Sequence, residues 1–205
     1  MKQILFFFIF LNVINLNAQS SKSWKQSVID FQNELNREYK TLDETPLRGE
    51  NFEKFKRHPF FPINKKYYVE ARLEKATSEK KMIMPTSSGK SKSFTEYAKA
   101  YFKLNGKNLE LTLYTNDALQ NNPQYANLVF LPFRDLTNED KTYGGGRYLD
   151  LEKVDGDTMM IDFNKAYQPY CAYNAYDYSC PLVPDQNKLN VAIEAGVMYD
   201  DVYHH

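Results

Sequence analysis

Between Ser23 and Tyr39 the apolar residues recur every three or four positions. Trp24, Val28, Phe31, Leu35 and Tyr39 share one face, with Lys25, Gln26, Asn33 and Arg37 opposite. That spacing predicts an amphipathic helix over residues 23–39, with a Ser23/Gln26 capping box at its start and its stripe docked on a core. A shorter helix is predicted over 50–57 around Phe52 and Phe55, stopped by Pro59 and Pro62, which remove donors and restrict the residues before them. From Tyr67 the period drops to two: Val69, Ala71 and Leu73 alternate with Glu70, Arg72 and Glu74. This predicts a strand over 67–74, because successive strand side chains face opposite sides. The same reading gives strands at 81–84, 97–104, 108–115, 128–133, 147–151, 158–163 and 189–195. The run 128–133 is densely apolar and reads as central, with Pro132 at its end. Asn105-Gly106 and Asp155-Gly156 each read as the tight turn of a hairpin.

Eight short strands with little helical pattern between them argue against a parallel βαβ sheet. The predicted fold is mainly β (α+β overall): an antiparallel barrel or sandwich of about eight strands with one or two N-terminal helices. Residues 19–66 form the helical segment and 67–205 the β-rich part of the same single unit.

The first eighteen residues have a different pattern. Lys2 precedes eleven residues, Ile4 to Ile14, all apolar but Asn12, and Ala18 follows shortly after. A basic start, a short apolar run and a small residue describe a signal peptide, cleaved after Ala18. The run is too short to span a bilayer, which takes ~20 residues, and no later run is long enough. The expectation is an exported protein, periplasmic or extracellular, with no membrane span after cleavage. In that setting Cys171 and Cys180, the only two cysteines, read as a disulfide. Its short loop would contribute roughly 2–3 kcal/mol.

Charge narrows the partners. The chain carries 26 basic and 26 acidic side chains, and loss of Lys2 leaves the mature form near −1. Nothing in this balance points to nucleic acid, which needs a concentrated positive face. The three histidines are His58, His204 and His205. No nucleophile elbow, zincin helix, phosphate loop or dinucleotide fingerprint occurs. The sequence therefore points to no metal site and no cofactor.

Several segments carry candidate chemistry. Gly144–Gly146 precedes Arg147 and reads either as a tight start to a strand or as an anion-facing loop. Arg134-Asp135, Arg147 with Asp150, and Asp162 with Asn164 lie at strand ends. They read as an ionic network tying loops together or as a polar ligand site. Tyr167, Tyr170, Tyr173, Tyr176 and Tyr178 crowd one segment with both cysteines, as a packed lid or a pocket lining.

Ordered phrases in the second half add a resemblance. Phe130-Leu131-Pro132-Phe133-Arg134-Asp135, Thr142-Tyr143-Gly144-Gly145-Gly146-Arg147-Tyr148, Asp162-Phe163-Asn164-Lys165-Ala166-Tyr167, Pro169-Tyr170-Cys171-Ala172-Tyr173 and Cys180-Pro181, with Asn187 following, are its carriers. The chain resembles the bacterial and archaeal family catalogued as domain of unknown function 1684, over most of its mature length. The resemblance implies no activity, cofactor or partner. The reading that follows is an exported, non-enzymatic domain binding a small polar or aromatic ligand or a surface partner. Its candidate binding residues are Arg134, Asp135, Tyr143, Arg147, Tyr148, Asp162, Asn164, Tyr167 and Tyr173. The alternatives are a hydrolase-like enzyme using Asp135, Asp150 or Asp162, and a purely structural envelope protein.

Overall fold

The structure, a computed structural model, describes residues 23–199. The signal segment, His204 and His205 lie outside the described residues. Helix α1 spans Trp24–Lys40, and the Ser23 hydroxyl accepts the Gln26 N–H as the cap. Helix α2 spans Gly49–Lys54, ending three residues earlier than its pattern predicted. Seven strands follow: β1 (Tyr68–Lys75), β2 (Lys81–Pro85), β3 (Ser91–Leu104), β4 (Lys107–Asn116), β5 (Leu128–Phe133), β6 (Arg147–Glu152) and β7 (Thr158–Asp162). They form one antiparallel sheet in the order β6-β5-β4-β3-β1-β7, curled into a half-barrel. Strand β3 is long enough for two neighbours on one side, β1 along its end and β2 along its start.

The concave face holds the main core. Leu111, Leu113, Val129, Leu131, Phe133, Leu149 and Ile161 are all buried there. Asn105 and Gly106 turn the β3–β4 hairpin with φ of 53° and 76°, the positive values this turn type needs. Asp155-Gly156 behaves otherwise. Neither residue has positive φ, and β6 and β7 do not pair. They are the two edges of the sheet, β6 on β5 and β7 on β1. The expected second hairpin is instead a connection over residues 153–157 that crosses the opening of the half-barrel. It is pinned there by the Val154 N–H, which donates to the Tyr97 hydroxyl at 3.1 Å.

Strand β3 begins six residues before its predicted start because a bulge interrupts the alternation. Glu96 opposes Tyr114 and Ala98 opposes Leu113, so two steps on β3 match one on β4. An extra residue moves the preceding side chains to the other face. Phe94 thereby joins Tyr114 and Met84 in a buried cluster, with Phe130 packed against it, on the convex side.

Pro132 sits inside β5, between two strands. It has no N–H to give β4, and the buried side chain of Asn187 fills the break. Its Nδ2 donates to the Thr112 and Pro132 carbonyls at 2.8 and 2.7 Å, and its Oδ1 accepts the Thr112 N–H at 2.8 Å.

The last predicted strand, 189–195, is not one. Leu189, Val191, Ile193 and Ala195 do face the core together. The Ile193 and Ala195 carbonyls, however, serve a guanidinium rather than a neighbouring strand, and the Val191 carbonyl accepts the Leu136 N–H. Arg147, wholly buried, donates to the carbonyls of Ile193 at 2.8 Å, of Ala195, and of Val197 at 3.4 Å. The segment closes one end of the half-barrel as an irregular plug.

Candidate functional site

The nine sequence-derived candidates do not share one place. Arg147 and Asp135 form a wholly buried ion pair at 2.7 Å. Asp135 also accepts the Thr137 and Ile193 N–H groups at 2.8 and 3.1 Å. The pair joins the start of β6 to the segments around Thr137 and Ile193, so it reads as a tie between loops. Arg134 turns outward to Glu139 at 3.1 Å. Asp162 accepts the Trp24 indole N–H at 2.8 Å and the Asn164 amide at 2.8 Å, anchoring α1 to the end of β7. Tyr173 hydrogen-bonds His58 Nδ1 at 3.2 Å and donates to Gln168 in a cluster with Tyr39 and Phe55. Tyr143 stacks edge-on against Tyr199. Gly146, with φ of +98°, lies where a Cβ would come within 2.7 Å of the Phe133 carbonyl. The triple glycine thus provides a close approach at the start of β6, and Arg147 beside it points inward.

Two candidates, Tyr148 and Tyr167, do meet, on the convex face. There a cleft of about 760 Å³ lies between α1, the sheet and the segment carrying the cysteines. Helix α1 contributes Phe31, Leu35 and Glu38, so its apolar stripe does two jobs. Val28 and Tyr39 are buried, while Phe31 and Leu35 are half-buried at the cleft wall. The sheet contributes a cross-strand row: Phe130 opposes Tyr114 on one side and Asp150 on the other. Tyr148, two residues before Asp150, shares its face. Phe130 stacks with Phe94 at 5.4 Å and meets Tyr148 edge-on at 4.8 Å between ring centres. Tyr167, Tyr170, Tyr178 and Cys180 close the third side. Tyr167 is held by a two-way backbone pairing with Tyr148.

Besides the rings, Glu38, Lys92, Asn116, Asp150, Asp177 and Ser179 line the cleft. The Tyr167 hydroxyl donates to Asp150 Oδ2 at 2.8 Å, and the Tyr170 hydroxyl donates to Glu38. Desolvation raises the Asp150 carboxyl above its ordinary value, opposed by the Tyr167 bond. Asp150 is nonetheless exposed at the cleft wall, so this is the desolvation of a recess rather than of a sealed interior. Burial holds the Tyr148 and Tyr167 phenols well above their usual range, so both remain donors. Asp177 is spoken for by Arg48 at 2.5 Å. Lys92 lines the rim beside Cys180. Cys171 and Cys180 are buried thiols, the Cys171 N–H donating to Cys180 Sγ at 3.2 Å. Their mutual hydrogen bond lowers Cys171 and raises Cys180. Among the described residues no group of three or more His, Cys, Asp or Glu side chains is placed to hold a metal ion.

Phe31, Leu35, Glu38, Phe94 and Phe130 escaped the sequence reading of the site. One signal for Phe130 was present. Strand β5 is apolar on both faces, the pattern of a strand covered on both sides, and this implies a second layer over the convex face.

Comparison with known proteins places the chain without assigning it an activity. No curated protein matches it. The solution NMR structure of an uncharacterized protein of Haloarcula marismortui is similar, with a TM-score of 0.68 and 30% identity. The match covers 88% of this chain and 96% of that one. Residues 53–198 match the family described as "Protein of unknown function (DUF1684)", and the chain belongs to that family.

Proposed function

We propose that the chain is exported after loss of residues 1–18 and binds a small ligand in the convex-face cleft without transforming it. The observation that carries this reading is the cleft itself. Its volume of about 760 Å³ is walled by Phe94, Phe130, Tyr148 and Tyr167, with the Asp150 carboxylate set among them. Small-molecule sites have this size and make-up: mostly apolar and aromatic walls, and few polar groups that fix orientation. In the exported form Cys171 and Cys180 are joined. Their two protons and two electrons pass to the disulfide of an exchange partner, and the bond fixes the wall that carries Tyr178.

Native mass spectrometry of the protein taken from its own compartment tests both parts. The expected result is a chain starting at Gln19 that retains a small mass, lost in Phe130→Ala. A retained mass indifferent to Phe130→Ala places the ligand elsewhere and overturns the cleft reading. An exported chain still starting at Met1 overturns the processing.

A carboxylate-based hydrolase is the second reading. It is favoured by Glu38 and Asp150 lining one cleft and by the upward shift of Asp150, since a general acid needs a raised carboxyl. Turnover of chromogenic esters or glycosides, lost in Asp150→Asn, would favour it over binding alone.

A further inference from the structure

We propose that the cleft selects an organic ammonium: a primary or methylated amine on an aromatic or alkyl body, its cationic head at Asp150 and its body against Phe130 and Tyr148. The inference rests on the cleft being the ligand site and names the class of ligand.

Charge is the first argument. Asp150 and Glu38 both line the cleft, and each accepts one tyrosine hydroxyl. Among the described residues neither has a lysine or arginine within ion-pair distance, although most other carboxylates near the cleft or on α1 do. Asp177, at the cleft, is paired with Arg48, and Glu34, on α1, with Arg37. A carboxylate taken partly out of water without a counter-charge is costly. A ligand cation offsets that cost where a neutral or anionic ligand does not. The second argument is the walls. Phe130 is the direct cross-strand neighbour of Asp150, and Tyr148 meets Phe130 edge-on at 4.8 Å. Ring faces beside a carboxylate attract an ammonium through their quadrupoles, most strongly where water is excluded. The third argument is hydrogen-bond polarity. With their hydrogens given to the carboxylates, the Tyr167 and Tyr170 oxygens are left as acceptors, as are the second oxygens of Asp150 and Glu38. The Asp150 and Glu38 side of the cleft therefore asks for donors, and an ammonium has only donors. Lys92, the lining cation, stands at the Cys180 side of the rim, where it leaves Asp150 without a counter-charge.

Three probes of one shape make the test: 2-phenylethylammonium, 2-phenylethanol and phenylacetate. Each is titrated into the mature chain, residues 19–205, followed by NMR shifts of the tyrosine and phenylalanine rings. The expected order is ammonium tightest, about tenfold over the alcohol, the size of one charge-assisted contact at a partly exposed site, with phenylacetate weakest. Asp150→Asn should shrink the ammonium-over-alcohol ratio to within about twofold. Glu38→Gln serves as the second variant and should reduce that ratio in the same direction. If the alcohol or phenylacetate binds the same rings as tightly as the ammonium, the ligand class is overturned and the cleft reading stands. If none of the three moves the cleft rings, both fall.

Discussion

His58 gives the sharpest quantitative expectation. It is 3% exposed, boxed by Tyr39, Phe55, Phe60 and Tyr173. Its Nδ1 meets the Tyr173 hydroxyl, and its Nε2 is buried with no hydrogen-bond partner among the described residues. Burial lowers its pKa from 6.5 to about 3. A histidine held neutral in the fold but free to charge when unfolded binds protons preferentially in the unfolded state. Stability is therefore full above pH 6.5 and falls as pH drops below it, levelling off only near pH 3. Each unit within that window costs about 1.4 kcal/mol, so moving from pH 7 to pH 5 removes about 2 kcal/mol. For a chain of this size that corresponds to roughly 4–8 °C in Tm. The paired carboxylates Glu34, Glu44 and Asp117 are shifted downward, so their contributions are lost only at lower pH. The assay is chemical denaturation of wild type and His58→Gln at half-unit steps from pH 7 to pH 5. Subtracting one profile from the other cancels every other titrating group. The gap between them should narrow by about 2 kcal/mol across the window, because the glutamine has nothing to titrate. Parallel profiles would refute the idea that the fold holds His58 neutral.

Other expectations concern the ties between loops. Arg147→Met leaves Asp135 buried without its counter-charge and should cost about 3–5 kcal/mol by urea denaturation. Arg147→Lys should recover little of it, because an ammonium cannot reach Asp135 and the Ile193 and Ala195 carbonyls together; near-complete recovery would show that charge alone matters there. Asn187→Ala strands the Thr112 N–H and two carbonyls and should cost about 3 kcal/mol, with amide exchange accelerating first at Thr112. Thiol labelling of the exported protein should modify neither Cys171 nor Cys180 until a reductant is added, and labelling of both in denaturant without reductant would exclude the disulfide.

The legible parts of this fold are those where one rule acts alone. The stripe Trp24 to Tyr39 with its Ser23 cap is a local pattern, and α1 follows it within a residue. Asn105-Gly106 works because both residues tolerate positive φ. Asp155-Gly156 looks alike but lies where the chain must cross between sheet edges, and long-range geometry sets its backbone instead. The start of β3 was hidden because its bulge breaks the alternation on which strand reading depends. The segment 189–195 kept its inward face and lost its strand to a guanidinium, a competition invisible in its own residues. For the site, Arg147 and Asp135 stand out in the sequence as charges at strand ends, and that signal marks a buried pair as readily as a ligand site. The cleft is assembled from three elements far apart in sequence. Only the crowding of Tyr167, Tyr170 and Tyr178, and the two-faced apolarity of β5, pointed toward it.

The bulge between Glu96 and Ala98 makes the cleft depend on counting as well as on chemistry. Face assignment along β3 works like a reading frame with a period of two, and the extra residue is its single shift. Deleting one residue there, with Phe94 untouched, would turn Ser93 and Thr95 toward the cleft and Phe94 away from it. An aromatic wall would become a hydroxyl wall without any side chain having been exchanged. For this domain, one residue more or less in β3 is a specificity change.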